Sequence, residues 1–385
     1  MTQHLIIYTV SAILLLYGLI ILVYKGLWAK LKPFRLEPSK APGALKFSII
    51  IPARNEEKNI GNCLHSILAG SYPKELYEIT VVDDFSTDST PAILARFQGQ
   101  YPTVVKVLSL STILDSRPIN SYKKKALELA ISQASGEWIV TTDADCLVPT
   151  DWLSYYDQYI RASSKRFVAA PVCFEDSGSF ISKFQCLDFL SLQAVTGAAV
   201  GAGLMSMCNG ANLCYQKAFF NEVGGFKGVD ELASGDDMFL MQKMQHKDPS
   251  STGYLFASGA IVSTLPMPDW SSFLNQRIRW ASKAGAYKDW KIKLVLLLVY
   301  LMNLGMLLVL LMGLWVPKYL VVWLGLLLFK FMVEYMFMRA AAKFFQQQKL
   351  LSWFLLMQPF HMVYTVVAGM LGLFGKYTWK GRSVR

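Results

Sequence analysis

Residues 5–24, LIIYTVSAILLLYGLIILVY, carry no charged side chain. A run of about twenty apolar residues is what a helix needs to cross the hydrocarbon of a bilayer. With no basic n-region and no small-residue cleavage site, it reads as a retained anchor and not as a secretory signal. Lys25, Lys30, Lys32, Arg35 and Lys40 follow it, and the positive-inside rule then places the N-terminus outside and the following chain in the cytoplasm. Residues 294–316, 319–338 and 350–374 repeat the apolar signal. The expected layout is an anchor over 1–25, a cytoplasmic globular domain over 45–260, an interfacial amphipathic region over 261–292, and membrane helices with a basic tail over 293–385. A bacterial inner membrane is the expected setting.

A hydrophobic content of 53% suits that division, being too high for a wholly soluble protein. The net charge of +11 is not a nucleic-acid signature, because basic residues crowd the membrane edges, as with Lys283, Lys288, Lys291 and Lys293. There they orient the chain and meet anionic lipid. The six cysteines, at 63, 146, 173, 186, 208 and 214, show no CxxC pair and no zinc spacing, and a cytoplasmic segment keeps thiols reduced. Three spans after a cytoplasmic domain would leave the C-terminus outside, yet GKYTWKGRSVR carries four basic residues. Pro359, in QPFH, breaks helical hydrogen bonding, so a re-entrant or interfacial last segment would return the tail to the cytoplasm. Lys330 and Glu334, four residues apart, can pair on one helix face.

The globular part alternates strand and helix. KFSIIIPARNEEKNI starts as an apolar strand that stops at Pro52, with Asn55 and Glu56 opening a helix. YEITVVDDFSTDSTPAILARF repeats the scheme, with Ser89 and Thr90 as helix caps and Pro91 in the first turn. TVVKVLSL is a third strand, KKKALELAISQAS an amphipathic helix ended by Gly136, and EWIVTTDAD a fourth strand. Such alternation implies an α/β fold with a parallel, doubly wound sheet, in which ligands bind beyond the carboxyl ends of the strands. Asn55 and Glu56, Asp83 and Asp84, and Asp143 and Asp145 all fall at those ends.

No GxGxxG and no P-loop is present to cradle phosphates. Carboxylates that bind a diphosphate need a divalent cation between the two sets of negative charge, and Mg²⁺ or Mn²⁺ fits that chemistry. Asp143-Ala144-Asp145 places two carboxylates at a strand end, although a turn would use Asp there as well. Asp236 and Asp237 precede an amphipathic helix, where acidic residues also serve as dipole-matched caps. In WSSFLNQRIRWASK, Gln276, Arg279 and Trp280 lie within about one and a quarter helical turns. Arg and Gln can hold phosphate or sugar oxygens, and Trp offers a flat face to a sugar ring. An interfacial helix with an aromatic belt would carry the same residues.

Taken in order, these stretches resemble family 2 glycosyltransferases, inverting enzymes with the Rossmann-like GT-A fold, over about residues 46–290. The anchor-plus-bundle layout resembles that of the membrane-integrated members. SIIIPARNEE is similar to the family's first strand and nucleotide-contacting loop, which implies donor contacts for Pro52, Arg54, Asn55 and Glu56. VVDDFSTDST resembles its acidic second strand end, implying uracil or ribose contact by Asp83 or Asp84. YKKKALELAI resembles the GK-x-x-AL-N stretch and implies Lys123 near the donor, with Tyr122 and Glu128 departing from the usual Gly and Asn. TTDADC looks like the DxD, implying Asp145 and Asp143 at the metal. MCNGANLCYQKAFFNEVGGF resembles the loop that closes the site, with Asn209, Gly210, Asn212 and Gly224-Gly225. SGDD stands where the family carries ED or TED and implies Asp237 as base beside Asp236. QRIRW looks like the Q-x-x-R-W motif, and the tail WKGR resembles that of ceramide glucosyltransferase-like members.

The resemblance implies a single in-line displacement. The metal held by Asp145 and Asp143 stabilises the leaving nucleotide of a nucleotide-sugar, a UDP-sugar by family expectation. Asp237 takes the proton from an acceptor hydroxyl, its pKa raised by Asp236. Arg279 steadies the diphosphate, and Trp280 the acceptor sugar or lipid head. A membrane lipid is the expected acceptor, since FLSLQAVTGAAVGAGLMSM can lie at the interface. A processive polysaccharide synthase, with a growing glycan as acceptor, is the alternative, and a catalytically silent membrane scaffold stands behind both.

Overall fold

The computed structural model describes residues 2–37, 44–113, 121–229 and 235–373, and two short strands at 377–379 and 382–384. Lys40, Ser234 of SGDD and the basic side chains of the tail lie outside the described residues. In chain order the elements are α1 (Thr2–Ala29), β1 (Phe47–Ala53), α2 (Ile60–Leu68), β2 (Tyr77–Asp83), α3 (Thr90–Gln100), β3 (Val105–Ser109), α4 (Leu110–Ile113), α5 (Tyr122–Gln133), β4 (Trp138–Thr141) and β5 (Cys146–Leu147). There follow α6 (Trp152–Ser163), β6 (Phe167–Ala169), β7 (Val172–Phe174), α7 (Phe180–Gly201), β8 (Leu213–Gln216), α8 (Lys217–Glu222), α9 (Asp236–Lys247), β9 (Thr252–Tyr254) and β10 (Val262–Thr264). Next come α10 (Trp270–Ala281), α11 (Trp290–Trp315), α12 (Lys318–Phe344) and α13 (Phe354–Leu373), with the two short strands after them. They fall into two compact units, one of residues 32–173, 200–265 and 378–385, the other of 1–31, 174–199 and 266–377.

The first unit is built on a seven-stranded sheet in the order β3-β2-β1-β4-β8-β6-β9. β1 runs parallel to β2 and β4, and β2 to β3; β8 is antiparallel to β4 and β6. The sheet is therefore mostly parallel, as the strand–helix alternation predicts. Ile49, Ile50, Ile51, Ile79, Val81, Val82, Ile139 and Val140 are fully buried. Such unbroken apolar runs mark strands covered on both faces. The β1–β4 ladder ends at Ile50↔Thr141, while β1–β2 continues to Ala53↔Asp83. Pro52 lies in that extra stretch, where β1 has left β4 and a missing N–H costs no pairing on that side. The sheet opens there, just where the chain after β4 delivers Asp143.

A polar staple crosses the core at the opposite end of the strands. Glu78 accepts from Ser48 Oγ at 2.7 Å, from Lys106 Nζ at 2.5 Å and from Ser135 N at 2.5 Å. Burial works against its charge, but the ammonium and the other donors hold its carboxyl down at about 2. A Cβ on Gly136 would come within 2.7 Å of the Phe47 carbonyl carbon and the Ser48 nitrogen, so the chain entering β4 needs glycine.

Two details of the first loops depart from expectation. Asn55 and Glu56 do not open a helix, since α2 starts only at Ile60. Asn55 takes a left-handed backbone, φ 51°, and its amide N–H donates to Ser86 Oγ at 2.9 Å. Ser89 is the N-cap of α3 without a side-chain capping bond; Thr90 Oγ1 instead accepts the Glu56 N–H at 2.8 Å.

The second unit is helical. The segments Gln3–Ala29, Trp290–Trp315, Lys318–Phe344 and Gln348–Leu373 are each long and apolar enough to cross a membrane. In α1 the buried residues are Val10, Leu14, Tyr17, Ile21, Tyr24 and Trp28, one stripe at helical spacing. Leu5, Tyr8, Leu15, Leu16 and Leu19 stay exposed, a bare apolar face of the kind lipid covers. Glycines admit close helix contact: a Cβ on Gly305 would strike Val10, and one on Gly369 would strike Tyr300, each at 2.7 Å. Lys330 and Glu334 form the expected ion pair, at 2.7 Å. Gln358 and the Tyr17 hydroxyl join them. Pro359 does not break α13, which continues through it. It removes one N–H in the helix's second turn, a loss that membrane helices tolerate.

Candidate active site

The carboxyl ends of β1 and β2 are stitched by their own polar residues. Arg54 Nη1 donates to the carbonyls of Asp84 at 2.7 Å and Phe85 at 3.0 Å. Asn55 Oδ1 accepts from Thr87 N at 2.8 Å, and Asp83 Oδ1 from Ser86 N at 3.3 Å. Glu56 is buried and takes Asn59 Nδ2 at 2.8 Å. Asp83 and Asp84 are buried as well. Phe85 has φ 53°, a conformation that bulky residues rarely adopt and that tends to persist where function needs it. Its ring meets Tyr122 edge-on at 5.8 Å between centroids, so Tyr122 gives this rim an aromatic wall.

Lys123 ties three elements together. From α5 its Nζ donates to Asp143 Oδ1 beyond β4 at 2.8 Å and lies 3.8 Å from Asp236 Oδ2 at the start of α9. Burial opposes its charge, but Asp143, Asp236 and Asp237 outweigh that and hold the ammonium well above the usual lysine range. The sequence reading, which set Asp236 against Asp237 as like charges, lacked this cation.

Asp237 both caps and clasps. Its Oδ1 accepts the Met238 N–H at 2.8 Å and its Oδ2 the Gly210 N–H at 2.9 Å. The Gly210 carbonyl accepts from Thr141 Oγ1, the last residue of β4, at 2.8 Å. Gly210 is thus held between the strand that leads to Asp143 and the helix that begins with Asp236. Asn209 Oδ1 accepts from Ala211 N at 3.0 Å. Fully buried Asn212 locks the loop: it accepts from Trp152 Nε1 and Tyr156 OH and donates to the carbonyls of Pro171 and Ala260, all within 2.7–2.9 Å.

Among the described residues, no three His, Cys, Asp or Glu side chains gather as a self-sufficient metal site. Asp143 and Asp145 supply two hard oxygen donors, Asp143 with a side chain 37% exposed. The nearby thiols of Cys63 and Cys146 are buried and donate to the Asp143 carbonyl and to Asp145. Two carboxylates open to solvent suit a cation of the Mg²⁺ or Mn²⁺ type that also takes oxygens from its ligand. The buried hydroxyl of Thr142, between Thr141 and Asp143, lacks a hydrogen-bond partner, an orphan of the kind a ligand or water satisfies.

Gln276, Arg279 and Trp280 lie on α10 in the helical unit. Each is partly exposed, whereas the residue between them, Arg277, is 4% exposed. Sequence reasoning missed Arg277, Thr141 and Asp188. The available signals were an arginine four residues after Phe273 on an apolar helix face, and in Asp188 a lone charge within a long uncharged stretch.

Comparison with known proteins agrees with this architecture. The model for glycosyl transferase family 2 matches residues 48–221, and that for glycosyl transferase family group 2 matches residues 138–372, well over half of the chain. Glycosyltransferase AglE of Haloferax volcanii is 35% identical over 106 residues, 28% of this chain and 32% of that protein. The beta-monoglucosyldiacylglycerol synthase of Synechocystis sp. is 34% identical over 105 residues, 27% and 21% of the two lengths. The probable glycosyltransferase YdaM of Bacillus subtilis is 26% identical over 254 residues, 61% and 54%. The chain therefore spans between 21% and 54% of these relatives' own lengths. Among solved structures, the mannosyltransferase PcManGT of Pyrobaculum calidifontis, in complex with GDP-Man and Mn²⁺, aligns with a TM-score of 0.62 at 19% identity, covering 96% of this chain and 98% of that one. Its likeness is one of fold. With family models matched across both its sheet and its apolar helices, the chain belongs to the family 2 glycosyltransferases, as a GT-A enzyme with four helices long enough to span a membrane.

Proposed function

We propose that the enzyme moves a sugar from a nucleotide-sugar, a UDP-sugar by family expectation, to a membrane lipid in one inverting displacement. The observation that carries this reading is the Lys123–Asp143–Asp236 cluster with Asp237 clasping Gly210, all at the open carboxyl rim of a parallel sheet. The rim residues Pro52, Arg54, Asn55, Glu56, Asp83 and Asp84 bind the nucleoside end of the donor. Asp143 and Asp145 would hold a divalent cation, which supplies positive charge to the departing diphosphate. Lys123, already charged and flanked by carboxylates, adds a second cation on the donor side. Asp237 accepts the proton of the acceptor hydroxyl as its oxygen attacks the anomeric carbon, and the bond to the diphosphate oxygen breaks on the opposite face. Asp236, paired to Lys123, keeps the start of α9 in place. Arg279 steadies the diphosphate, Gln276 holds ligand oxygens, and Trp280 offers its ring to the acceptor. Asn209 and Gly210 belong to the loop that closes over the donor.

A lipid acceptor is favoured because the buried polar groups Tyr17, Lys330, Glu334 and Gln358 bond to one another and so do not line a path for a polymer. The name of the Synechocystis relative, a glycolipid synthase, points the same way. The same reading has an anchor over 1–25, a catalytic domain over 45–260, an interfacial region over 261–292 and membrane helices over 293–385, with the catalytic face proposed to lie in the cytoplasm at a bacterial inner membrane. Incubation of the purified protein in lipid with UDP- and GDP-sugars, membrane lipid extract and Mn²⁺ or Mg²⁺ tests the reading. Release of a nucleoside diphosphate together with one shifted lipid band is expected. A high-molecular-mass ladder would support a processive synthase instead, and no release with any donor would overturn transfer altogether.

A further inference from the structure

The side chain of Arg277 sits at the centre of the acceptor motif yet belongs to none of its named positions. It is 4% exposed, and its guanidinium has four neighbours at once. Nε and Nη2 donate to Asp188 Oδ2 at 3.0 and 2.7 Å, and Nη1 donates to Gln276 Oε1 at 2.7 Å. Its Cζ lies 4.1 Å from the centroid of the Trp280 ring and 4.7 Å from that of Phe273. Asp188, on α7, is buried too, and its other oxygen takes the Tyr364 hydroxyl from α13, with His361 Nε2 3.8 Å away. Phe189, the next residue of α7, reaches the Trp280 ring at 6.3 Å between centroids.

This arrangement is an expensive way to pack a helix. Two charges removed from water cost more than apolar side chains of the same volume would. Its distinguishing product is orientation. Arginine has donors only, so Gln276 must turn its carbonyl oxygen toward Arg277, and the amide nitrogen, a pair of donors, is the end left for a ligand's oxygens. A cation over Trp280 on one side and Phe189 beside the ring restrain its orientation, and the residue stays partly exposed. Lysine could supply the charge but not the planar fork that makes these contacts together.

We infer that Asp188 and Arg277 are positioning residues that set Gln276 and Trp280 for the acceptor, a role that rests on the acceptor function proposed for the motif. The main test is the double substitution Asp188→Leu/Arg277→Met, which removes both charges together and avoids stranding either one. Thermal unfolding in lipid should match that of the unsubstituted protein. The acceptor KM should rise about tenfold, the scale of one lost charge-assisted contact, with the donor KM unchanged. Arg277→Lys, which keeps the ion pair, should shift the acceptor KM in the same direction and serves if the double variant does not fold. An unchanged acceptor KM in a folded variant of either kind overturns the inference. Trp280→Ala and Gln276→Ala separate the two levels of the argument. If they leave transfer intact, the acceptor function of the motif is wrong; if they impair it while the Asp188 and Arg277 variants do not, only the positioning role is wrong.

Discussion

Two lysine–carboxylate clusters, one in each unit, use the same chemistry to different ends. Lys123 meets Asp143 and Asp236 with side chains 25%, 37% and 10% exposed, so the cluster opens to solvent on one side. Lys330 meets Glu334 at 0% and 10% exposure, and Gln358 and Tyr17 occupy the remaining polar atoms. Charges partly open to solvent are ones a ligand can reach. Charges fully bonded to one another hold helices together and have nothing left to offer. Residue type alone does not separate a site from a staple; exposure to solvent does.

That contrast can be broken by substitution. Asp237→Asn should lower transfer by about 10³-fold, within the range for loss of a general base, while calorimetry shows nucleotide binding retained. Loss of binding to the same degree would make Asp237 a structural cap instead. Lys330→Met strands a buried carboxylate and should cost about 3 kcal/mol of stability, read as thermal unfolding in lipid. Lys330→Met/Glu334→Leu should recover much of that loss, and neither should alter turnover per folded molecule. The opposite test falls on the open cluster: Asp143→Asn/Asp145→Asn should weaken donor binding about 100-fold and remove its dependence on Mn²⁺, with melting little changed. A binding curve still responsive to Mn²⁺ would move the metal elsewhere.

A carboxylate outside both clusters sharpens the comparison through pH. Glu78 has its carboxyl depressed to about 2 in the folded chain. The unfolded chain therefore binds the proton first as pH falls. The resulting stability is fully present above the ordinary glutamate range and is lost as pH drops from about 4.5 toward 2. Because Lys106 is half exposed, screening trims the contribution to about 2 kcal/mol. Glu78→Gln should flatten acid unfolding over that window without changing the response near neutrality.

The parts legible in the sequence were those with local causes. Apolar runs over 47–53, 77–83 and 138–141 marked the parallel strands, and the acidic residues after them fell on the expected rim. The helix after β1 was misplaced because the left-handed turn at Asn55 depends on Ser86, thirty-one residues away. Pro359 was read by its local rule, but one lost N–H in a packed helix is not a break. The Arg277–Asp188 pair spans 89 residues, and only the fold brings the two together. Even so, a charge on an apolar face announces that it must have a partner.

The stripe of α1 that packs against its neighbours has a practical consequence for anyone seeking a soluble form of the enzyme. Trimming a leading apolar segment assumes that it is a tether, separable from the working protein. Here that cut would remove the Tyr17 hydroxyl from Glu334, empty the notch where Val10 meets Gly305 and take Trp28 away from Phe337 and Phe344. The remaining helices would present a polar side chain and a groove to the detergent. The segment is a structural member of its bundle, and expression designs do better to keep it.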